Sequence, residues 1–229
     1  MRLPEYLSVR RAYNVVRQET DARCRITFDE LAILSHLLRC DEATTISAVA
    51  DYQGVSRSNM THRVSGLEDL GLIERLPGTH DRRNVLCQVT EAGRREAFSL
   101  AGRIRAAIRP GMPLSRTSAD RILAYADAMG SLFCSGEGLV LLALYSRDFA
   151  PTRISDLVAD TGMLQPTTSM AVAKLCQREL AVREFPETEA LPSSRQGKVV
   201  VTEAGKRRAC ELAEFVEDMT VPRAPRRTS

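Results

Sequence analysis

The stretch GVSRSNMTHRV, residues 54–64, decides how this chain folds, because a turn, a helix start and an apolar stripe follow one another in it. Gly54 is suited to the left-handed turn that ends a helix, and Ser56 can cap the next helix. Met60 and Val64 then follow at helical spacing, so one face of this helix is apolar and the opposite face is polar. The segment therefore predicts a tight turn followed by an amphipathic helix.

Two further helices are predicted upstream of this turn. Thr27 and Glu30 have the spacing of a capping box, and apolar residues follow them at helical period. Thr44 can cap a short second helix that ends at Gly54.

A β-hairpin is predicted downstream. Leu72-Ile73 and Val85–Val89 have the alternating, β-branched character of strands, and the polar segment Pro77–Asn84 between them forms the hairpin tip. Thr90 then caps a long helix that runs to about Ile108. Helix, helix, turn, helix and hairpin in this order describe a winged helix-turn-helix.

The sequence repeats itself. At an offset of 108, residues 27–72 match residues 135–180 at many apolar and capping positions. At an offset of 112, the letters VTEAG at residues 89–93 recur at residues 201–205. Because the matches keep their order over two long blocks, we expect one whole domain per copy.

The expected fold class is mainly α with small β-hairpins, made of two winged helix-turn-helix domains arranged as an intramolecular pseudo-dimer. Interlocking helices are expected to flank the domains near Val9–Glu19, Ala119–Leu132 and Glu203–Met219. The predicted domain boundaries are 1–109 for the first domain and 114–219 for the second, diverged domain, with a disordered basic tail at 220–229.

The first copy carries the residue types that read DNA. Arginine can fork onto guanine and asparagine onto adenine from the polar face of a recognition helix. Basic side chains at a hairpin tip can enter a narrow minor groove, and Asp81 is placed to orient one of them. The predicted contacts are Ser56, Arg57, Ser58, Asn59, Thr61, His62 and Arg63 on the helix, and Arg82 and Arg83 at the tip. A solvated helix face and an exposed Asp-Arg pair are the competing interpretations.

The second copy carries fewer such residues. No arginine occurs in the first turns of its equivalent helix, and Pro166 suits a first helical position. Its predicted contacts are Gln165, Thr167, Thr168, Ser169 and Lys174, with Arg195 at the tip. We therefore expect the first copy to contribute more of the base readout.

Charge and cysteine content exclude several classes of protein. The net charge of +3 is supplied by three arginines of the tail, so there is no overall basic excess. The six cysteines form no Cys-x-x-Cys pair, and neither a metal site nor a cofactor is expected. By their register Cys87 and Cys134 are core residues, and the chemistry of the other cysteines stays open. No arrangement of nucleophile, base and oxyanion donors suggests an enzyme. Without a membrane span or secretory signal, a cytoplasmic protein is expected.

The residues resemble those of the MarR family of bacterial transcription regulators. The resemblance rests on VSRSNMTHRV at 55–64, LGLI at 70–73, Asp81-Arg82-Arg83, and Val89-Thr90 with Gly93. It implies transcription regulation by a repressor or an activator, double-stranded DNA as the partner, and a small aromatic or anionic effector near the junction of the terminal helices and the winged helix. Members of this family are ordinarily homodimers. Here one chain holds both units, as in the two-domain staphylococcal Sar branch, so a monomer acting as a pseudo-dimer is expected, with higher association left open.

A different class of function remains open beside the regulator. Tandem winged helices also serve as protein–protein adaptors in chromosome-organising or transcription complexes, and the acidic second hairpin with Glu187 and Glu189 fits that role. A third possibility is that the first copy reads DNA while the second senses a ligand or docks a partner.

Overall fold

The computed structural model of the chain describes residues 1–22, 25–77, 85–132, 135–185 and 197–222. The predicted fold class is confirmed at the level of a mainly helical protein with small antiparallel sheets. No helix among these residues is both long and apolar enough to cross a membrane. The helices are α1 (Leu3–Glu19), α2 (Phe28–Leu37), α3 (Ile46–Gln53), α4 (Arg57–Asp69), α5 (Glu91–Ala107), α6 (Ala119–Met129), α7 (Gly136–Tyr145), α8 (Ile154–Thr161), α9 (Gln165–Gln177) and α10 (Glu203–Asp218). The strands are β1 (Thr44–Thr45), β2 (Ile73–Pro77), β3 (Val85–Val89), β4 (Thr152–Arg153), β5 (Ala181–Glu184) and β6 (Lys198–Val201).

The chain packs as two compact units, and each is assembled from separate segments. The first unit consists of Val16–Ala107, Ser115–Leu132 and the segment from Thr220. The second unit consists of Met1–Val15, Ile108–Leu114 and Phe133–Met219. Helix α6, which follows α5 in the sequence, thus belongs to the first unit. Most of α1, at the start of the chain, belongs to the second unit. The predicted ranges 1–109 and 114–219 were continuous, so they describe the sequence copies and not these packing units.

In the first unit, α2 to α5 surround a small sheet. The strand order is β1-β3-β2, and both pairs are antiparallel, with Thr44 opposite Cys87 and Arg75 also opposite Cys87 across the sheet. Cys87 is buried as predicted, and burial raises its pKa to about 11. The core is formed by the apolar faces of the helices, with fully buried Leu31, Leu34 and Leu67 among its largest side chains.

In the second unit, α7 to α10 and a sheet of order β4-β6-β5 are arranged in the same chain order. The N-terminal helix is fastened here by polar contacts to the end of α8. Arg11 Nε donates to the carbonyl of Ala159 at 2.9 Å, and Asn14 Nδ2 donates to the carbonyl of Thr161 at 2.9 Å. Gly162, at φ 66°, ends α8 in the left-handed conformation that a glycine adopts without strain.

Several local predictions are confirmed and others need correction. The capping box of Thr27 and Glu30 is present, and Ser56 caps α4. The cap of α3 is Thr45 and not Thr44, because the Ala48 amide donates to the Thr45 hydroxyl at 3.1 Å. The two threonines together form strand β1, which the sequence did not reveal.

The flanking helices and the tail also depart in part from the prediction. Helix α1 begins at Leu3, well before Val9, while α6 ends at Met129 and α10 at Asp218. Of the predicted tail, residues 223–229 lie outside the described part of the chain, and the Pro222 carbonyl accepts a hydrogen bond from Arg121.

The VTEAG motif has the same geometry in both units. Gly93 follows the hairpin so closely that a Cβ on it would lie 1.9 Å from the Leu72 carbonyl oxygen. Gly205 stands in the same relation to the Leu180 carbonyl oxygen, also at 1.9 Å. The preceding threonine donates its hydroxyl to a backbone carbonyl in both places, from Thr90 at 2.8 Å and from Thr202 at 2.7 Å. The motif therefore fixes the angle between the hairpin and the helix that follows it.

Candidate nucleic-acid interface

Helix α4 is held by its apolar stripe, and this leaves its polar face in solvent. Met60, Val64 and Leu67 are completely buried. The Ser56 side chain accepts a hydrogen bond from the Asn59 amide at 3.3 Å, which satisfies one of the free amides of the first turn. Gly54, at φ 64°, provides the turn between α3 and α4. These contacts fix the start and the rotation of the helix.

Most of the predicted contact residues lie on the exposed side of this helix. Arg57 is exposed, and no described residue forms an ion pair with it. A guanidinium group in this state keeps its donors available to an incoming acceptor. The residues exposed together at the start of α4 are Ser56, Arg57, Ser58, Asn59, Thr61 and His62.

Arg63 differs from these residues because its guanidinium group is engaged within the unit. It lies 3.1 Å from the Asp29 carboxylate on α2, and only 15% of its side chain is exposed. This ion pair joins α4 to α2. Arg63 was predicted as a DNA contact, and the structure gives it a visible role in positioning the helix.

Arg75 on β2 was missed by the sequence analysis. Its guanidinium donates to Ser65 Oγ at 2.5 Å and lies 3.1 Å from the Glu68 carboxylate, and both partners are on α4. Arg75 therefore ties the hairpin to α4. The sequence did contain a signal for this role. Side chains alternate between the two faces of β2, so Arg75 lies on the same face as the buried Ile73.

The tip of the first hairpin, residues 78–84, lies outside the described residues, and with it Arg82 and Arg83. The strands that lead to the tip pair in register as far as Pro77 opposite Val85. The tip of the second hairpin, with Arg195, Glu187 and Glu189, also lies outside the described residues.

In the second unit, α9 occupies the position of α4 but presents a different surface. Gln165 and Thr167 are exposed, and Ser169 is half-buried. Thr168 was predicted as a DNA contact, but it is completely buried and its hydroxyl donates to the Leu164 carbonyl at 3.1 Å. The physical reason is its register, because the offset of 108 aligns Thr168 with the core residue Met60.

Lys174, also predicted as a contact, takes part in an ion pair with Glu137 on α7. Its Nζ lies 3.5 Å from the Glu137 carboxylate, and Arg178 lies 2.8 Å from the same carboxylate. At the offset of 108, Glu137 aligns with Asp29, the partner of Arg63. In both units, therefore, an acid two helices earlier in the chain forms an ion pair with the helix that follows the turn, α4 or α9.

Apolar side chains stand on the outer surface of α9 and its hairpin. Leu164 is 54% exposed and Met170 is 62% exposed, and Met170 aligns with the DNA-facing candidate His62. Val182 and Phe185 on and beside β5 are 45% and 41% exposed. The described residues of this surface thus carry apolar groups where the first unit carries polar ones.

Among the described residues, no cluster of histidine, cysteine and acidic side chains is arranged to hold a metal ion.

Comparison with known proteins gives one family match. The model of the MarR family matches residues 26–84, which run from the cap of α2 through α4 to the first hairpin. No curated protein sequence matches the chain.

Several solved structures resemble part of the chain. The transcriptional regulator BldR from Sulfolobus solfataricus shares 23% identity at a TM-score of 0.37, over 43% of this chain and 66% of its own. A MarR family transcriptional regulator from Rhodococcus sp. RHA1 shares 27% identity at a TM-score of 0.34, over 44% of this chain and 65% of its own. ScpB from Mycobacterium tuberculosis shares 14% identity at a TM-score of 0.25, over 81% of this chain and 98% of its own.

The first two matches span less than two thirds of those regulators, and all three TM-scores are below 0.5. Such values do not establish a common overall arrangement. The family match is confined to residues 26–84, the segment that contains the capped helix α4, and this segment is similar to the MarR family.

Proposed function

We propose that the chain is a transcription regulator that binds double-stranded DNA sequence-specifically, with its base readout concentrated in α4. The observation that carries this proposal is the exposed polar face at the start of α4, with Arg57 and Asn59 on it and the buried Met60 behind it. Each well-placed side-chain pair with a base contributes about 1–3 kcal/mol of discrimination. The predicted tip arginines Arg82 and Arg83 would add contacts to the minor groove.

Within this proposal the polar residues have different tasks. Arg57, Ser58, Asn59, Thr61 and His62 contact the DNA, while Arg63 and Arg75 hold α4 against α2 and β2. The distinction rests on the ion pairs of Arg63 with Asp29 and of Arg75 with Glu68. An arginine already paired inside the fold would have to lose that pairing before it could fork onto a base.

We also infer that the second unit is a diverged copy of the first, so that one chain takes the place of a homodimer. Support comes from the matching contacts of Gly93 and Gly205 and from the matching anchors Asp29 and Glu137. The two units would face half-sites about one helical turn apart, as two subunits of a dimeric regulator do. Gln165 and Thr167 would then make the weaker contacts of the second half.

An anionic effector is part of the proposal, and a cavity of about 100 Å³ in the second unit is its candidate site. Arg11 and Arg109 line this cavity, and both donate to the Ala159 carbonyl. Burial lowers the pKa of Arg11, and the adjacent Arg109 charge lowers it further. The Asp160 carboxylate, which also lines the cavity, offsets part of this repulsion. An anion would offset the rest, and Leu7 and Met112 add apolar surface for a small ligand.

A protein–protein adaptor is the second candidate function. The exposed Leu164, Met170 and Phe185 of the second unit favour it, because exposed apolar groups in one region are typical of interaction surfaces. Such a protein would need no affinity for DNA. The exposed Arg57 in the first unit favours the regulator instead.

The two candidates are separated by titrating the full chain against a random-sequence duplex at increasing salt concentration. A DNA-binding regulator loses affinity with a log–log slope of about −0.9 for every phosphate contacted. We expect measurable binding with such a slope, and tighter binding to a selected site than to random sequence. If the chain does not bind DNA even at low salt, the regulator hypothesis is wrong and the adaptor hypothesis is favoured.

A further inference from the structure

A thiol, an imidazole and a carboxylate meet at the end of α2 in the first unit. Cys40 Sγ lies 3.9 Å from His36 Nε2, and His36 Nδ1 lies 3.2 Å from Asp127 Oδ1. His36 and Cys40 share one side of the chain as it leaves the helix, four residues apart. Asp127 comes from α6, distant in the sequence.

The Asp127 carboxylate is suited to hold a negative charge at this place. Its residue is only 2% exposed, and Arg39 Nε lies 3.4 Å from its second oxygen. The Tyr52 hydroxyl on α3 also hydrogen-bonds to Asp127, and burial together with this carboxylate raises the pKa of Tyr52 to about 12. The phenol thus stays protonated at neutral pH and donates to the carboxylate, which stabilises the anion.

These contacts fix the tautomer and the plane of His36. An anionic Asp127 accepts a hydrogen bond only from a nitrogen that bears a proton, so His36 Nδ1 carries the hydrogen; in the neutral ring Nε2 then has its lone pair on the side of Cys40. The Tyr52 ring stacks on the His36 ring with centroids 3.9 Å apart and 19° between the planes. The neutral Cys40 thiol donates to the His36 carbonyl oxygen, which lies 3.5 Å from Sγ. Nucleophile, base and orienting group therefore stand in the order that activates a nucleophile.

We propose that Cys40 is a covalent modification site for α,β-unsaturated carbonyl compounds. The Cys40 thiol proton passes to His36 Nε2, and the sulfur forms a bond to the β-carbon of the alkene. The π electron pair moves to the α-carbon, which takes the proton back from His36 Nε2. The product is a thioether in which every atom of both reactants is kept, and Asp127 acts as a positioning residue that stabilises the transient imidazolium.

The other described cysteines provide internal references for this site. Cys176 and Cys210 are half-buried free thiols like Cys40, and neither has a histidine partner among the described residues. Cys87 is buried, and burial raises its pKa to about 11. Exposure alone would therefore make Cys40, Cys176 and Cys210 similarly reactive, whereas the His36 contact predicts that Cys40 reacts first.

The test is the rate of modification of each cysteine in the full chain by N-ethylmaleimide, followed by peptide mass spectrometry between pH 5.5 and 8.5. A positioned base typically accelerates proton transfer by about 10²-fold or more, so we expect Cys40 to react at least about tenfold faster than Cys176 and Cys210 at pH 6.5. The groups that face His36 are Asp127, Arg39 and Tyr52, and they remain in place in the variant His36→Gln. This variant should reduce the Cys40 rate to that of the reference cysteines and make its pH profile that of an ordinary thiol.

Near-ultraviolet circular dichroism controls for loss of the fold in His36→Gln, and Tyr52→Phe provides a second variant that keeps the base. Because Tyr52 donates to Asp127, Tyr52→Phe should lower the Cys40 rate part of the way towards that of the reference cysteines. Equal rates for the three thiols, or an unchanged Cys40 rate in folded His36→Gln, would overturn the proposal. The measurement involves no DNA, so it stands or fails independently of the proposed regulator.

Discussion

Helices α4 and α9 occupy the same place in their units, and their outer surfaces have little in common. Both are paired with an acid two helices earlier in the chain, α4 with Asp29 on α2 and α9 with Glu137 on α7. Yet α4 begins with a capping serine and an exposed arginine, whereas the residue that precedes α9 is Leu164, with no side-chain cap.

The difference teaches that the two units share the contacts that build a unit but not the residues on its outer face. Contacts that set the helix angle occur in both units, as at Gly93 and Gly205. The outward positions diverge, since His62 aligns with the exposed Met170. Four pairs of substitutions test how far this comparison holds, beginning with the contacts that the two units share.

The largest effect is expected from Gly93→Ala and from Gly205→Ala. A methyl group at either position would lie 1.9 Å from a backbone carbonyl oxygen, so the helix and the hairpin must separate. Each substitution should lower the free energy of unfolding by about 3 kcal/mol, measured by urea denaturation. Gly102→Ala is the matched control on α5, where no atom lies within 4 Å of the added carbon, and it should be neutral or stabilising. A large effect in only one unit would break the equivalence of the units.

A smaller but more specific effect is expected from Arg57→Ala on DNA binding. Loss of the fork onto a base or phosphate should weaken binding to a selected site by about 1–3 kcal/mol without changing stability. The matched variant is Gln165→Ala, at the aligned position of α9, which should have a clearly smaller effect. Fluorescence anisotropy on the same duplex measures both, and equal losses would contradict the assignment of readout to α4.

The hairpin tips should differ in the same sense. Arg83→Ala should weaken binding and reduce the salt slope by about 0.9, the value for one phosphate contact. Arg195→Ala removes the aligned arginine of the second hairpin and should change the slope less. An unchanged affinity and slope in Arg83→Ala would argue against the wing as a DNA-binding element.

The smallest effect is expected at the acidic anchors. Asp29→Asn leaves the largely covered Arg63 without this carboxylate, whereas Glu137→Gln releases Lys174 and Arg178, whose side chains already stand largely in solvent. Partly exposed ion pairs contribute up to about 1 kcal/mol, so Asp29→Asn should cost about that much and Glu137→Gln less. The urea midpoints of the two variants measure which substitution destabilises the chain more. A larger loss of stability in Glu137→Gln than in Asp29→Asn would contradict this prediction.

Local signals in the sequence predicted much of the first unit. The capping box of Thr27 and Glu30 depends only on neighbouring residues, and so does the helix cap at Ser56. Both are present. The predicted cap of α3 was displaced by one residue because adjacent threonines are chemically equivalent as caps, and only the hydrogen bond from the Ala48 amide to the Thr45 side chain identifies the cap.

The candidate site was predictable in outline but not in its internal pairings. The burial of Thr168 could have been found from its alignment with Met60, because both stand on the core stripe. By contrast, the meeting of Asp127 with His36, and of Arg75 with Ser65, depends on tertiary packing between separate elements. A single sequence gives no signal for such a pair until the fold is known.

The most direct test of the proposed asymmetry is the selection of preferred sites from randomised duplex DNA by the full chain, repeated with Arg57→Ala. A single chain with its readout in α4 predicts a site with one strongly specified half and one weakly specified half. Arg57→Ala should then remove specificity from the strong half only. A two-fold symmetric palindrome with equally specified halves, both affected by Arg57→Ala, would contradict the account, because two chains would then be reading the DNA through their first units.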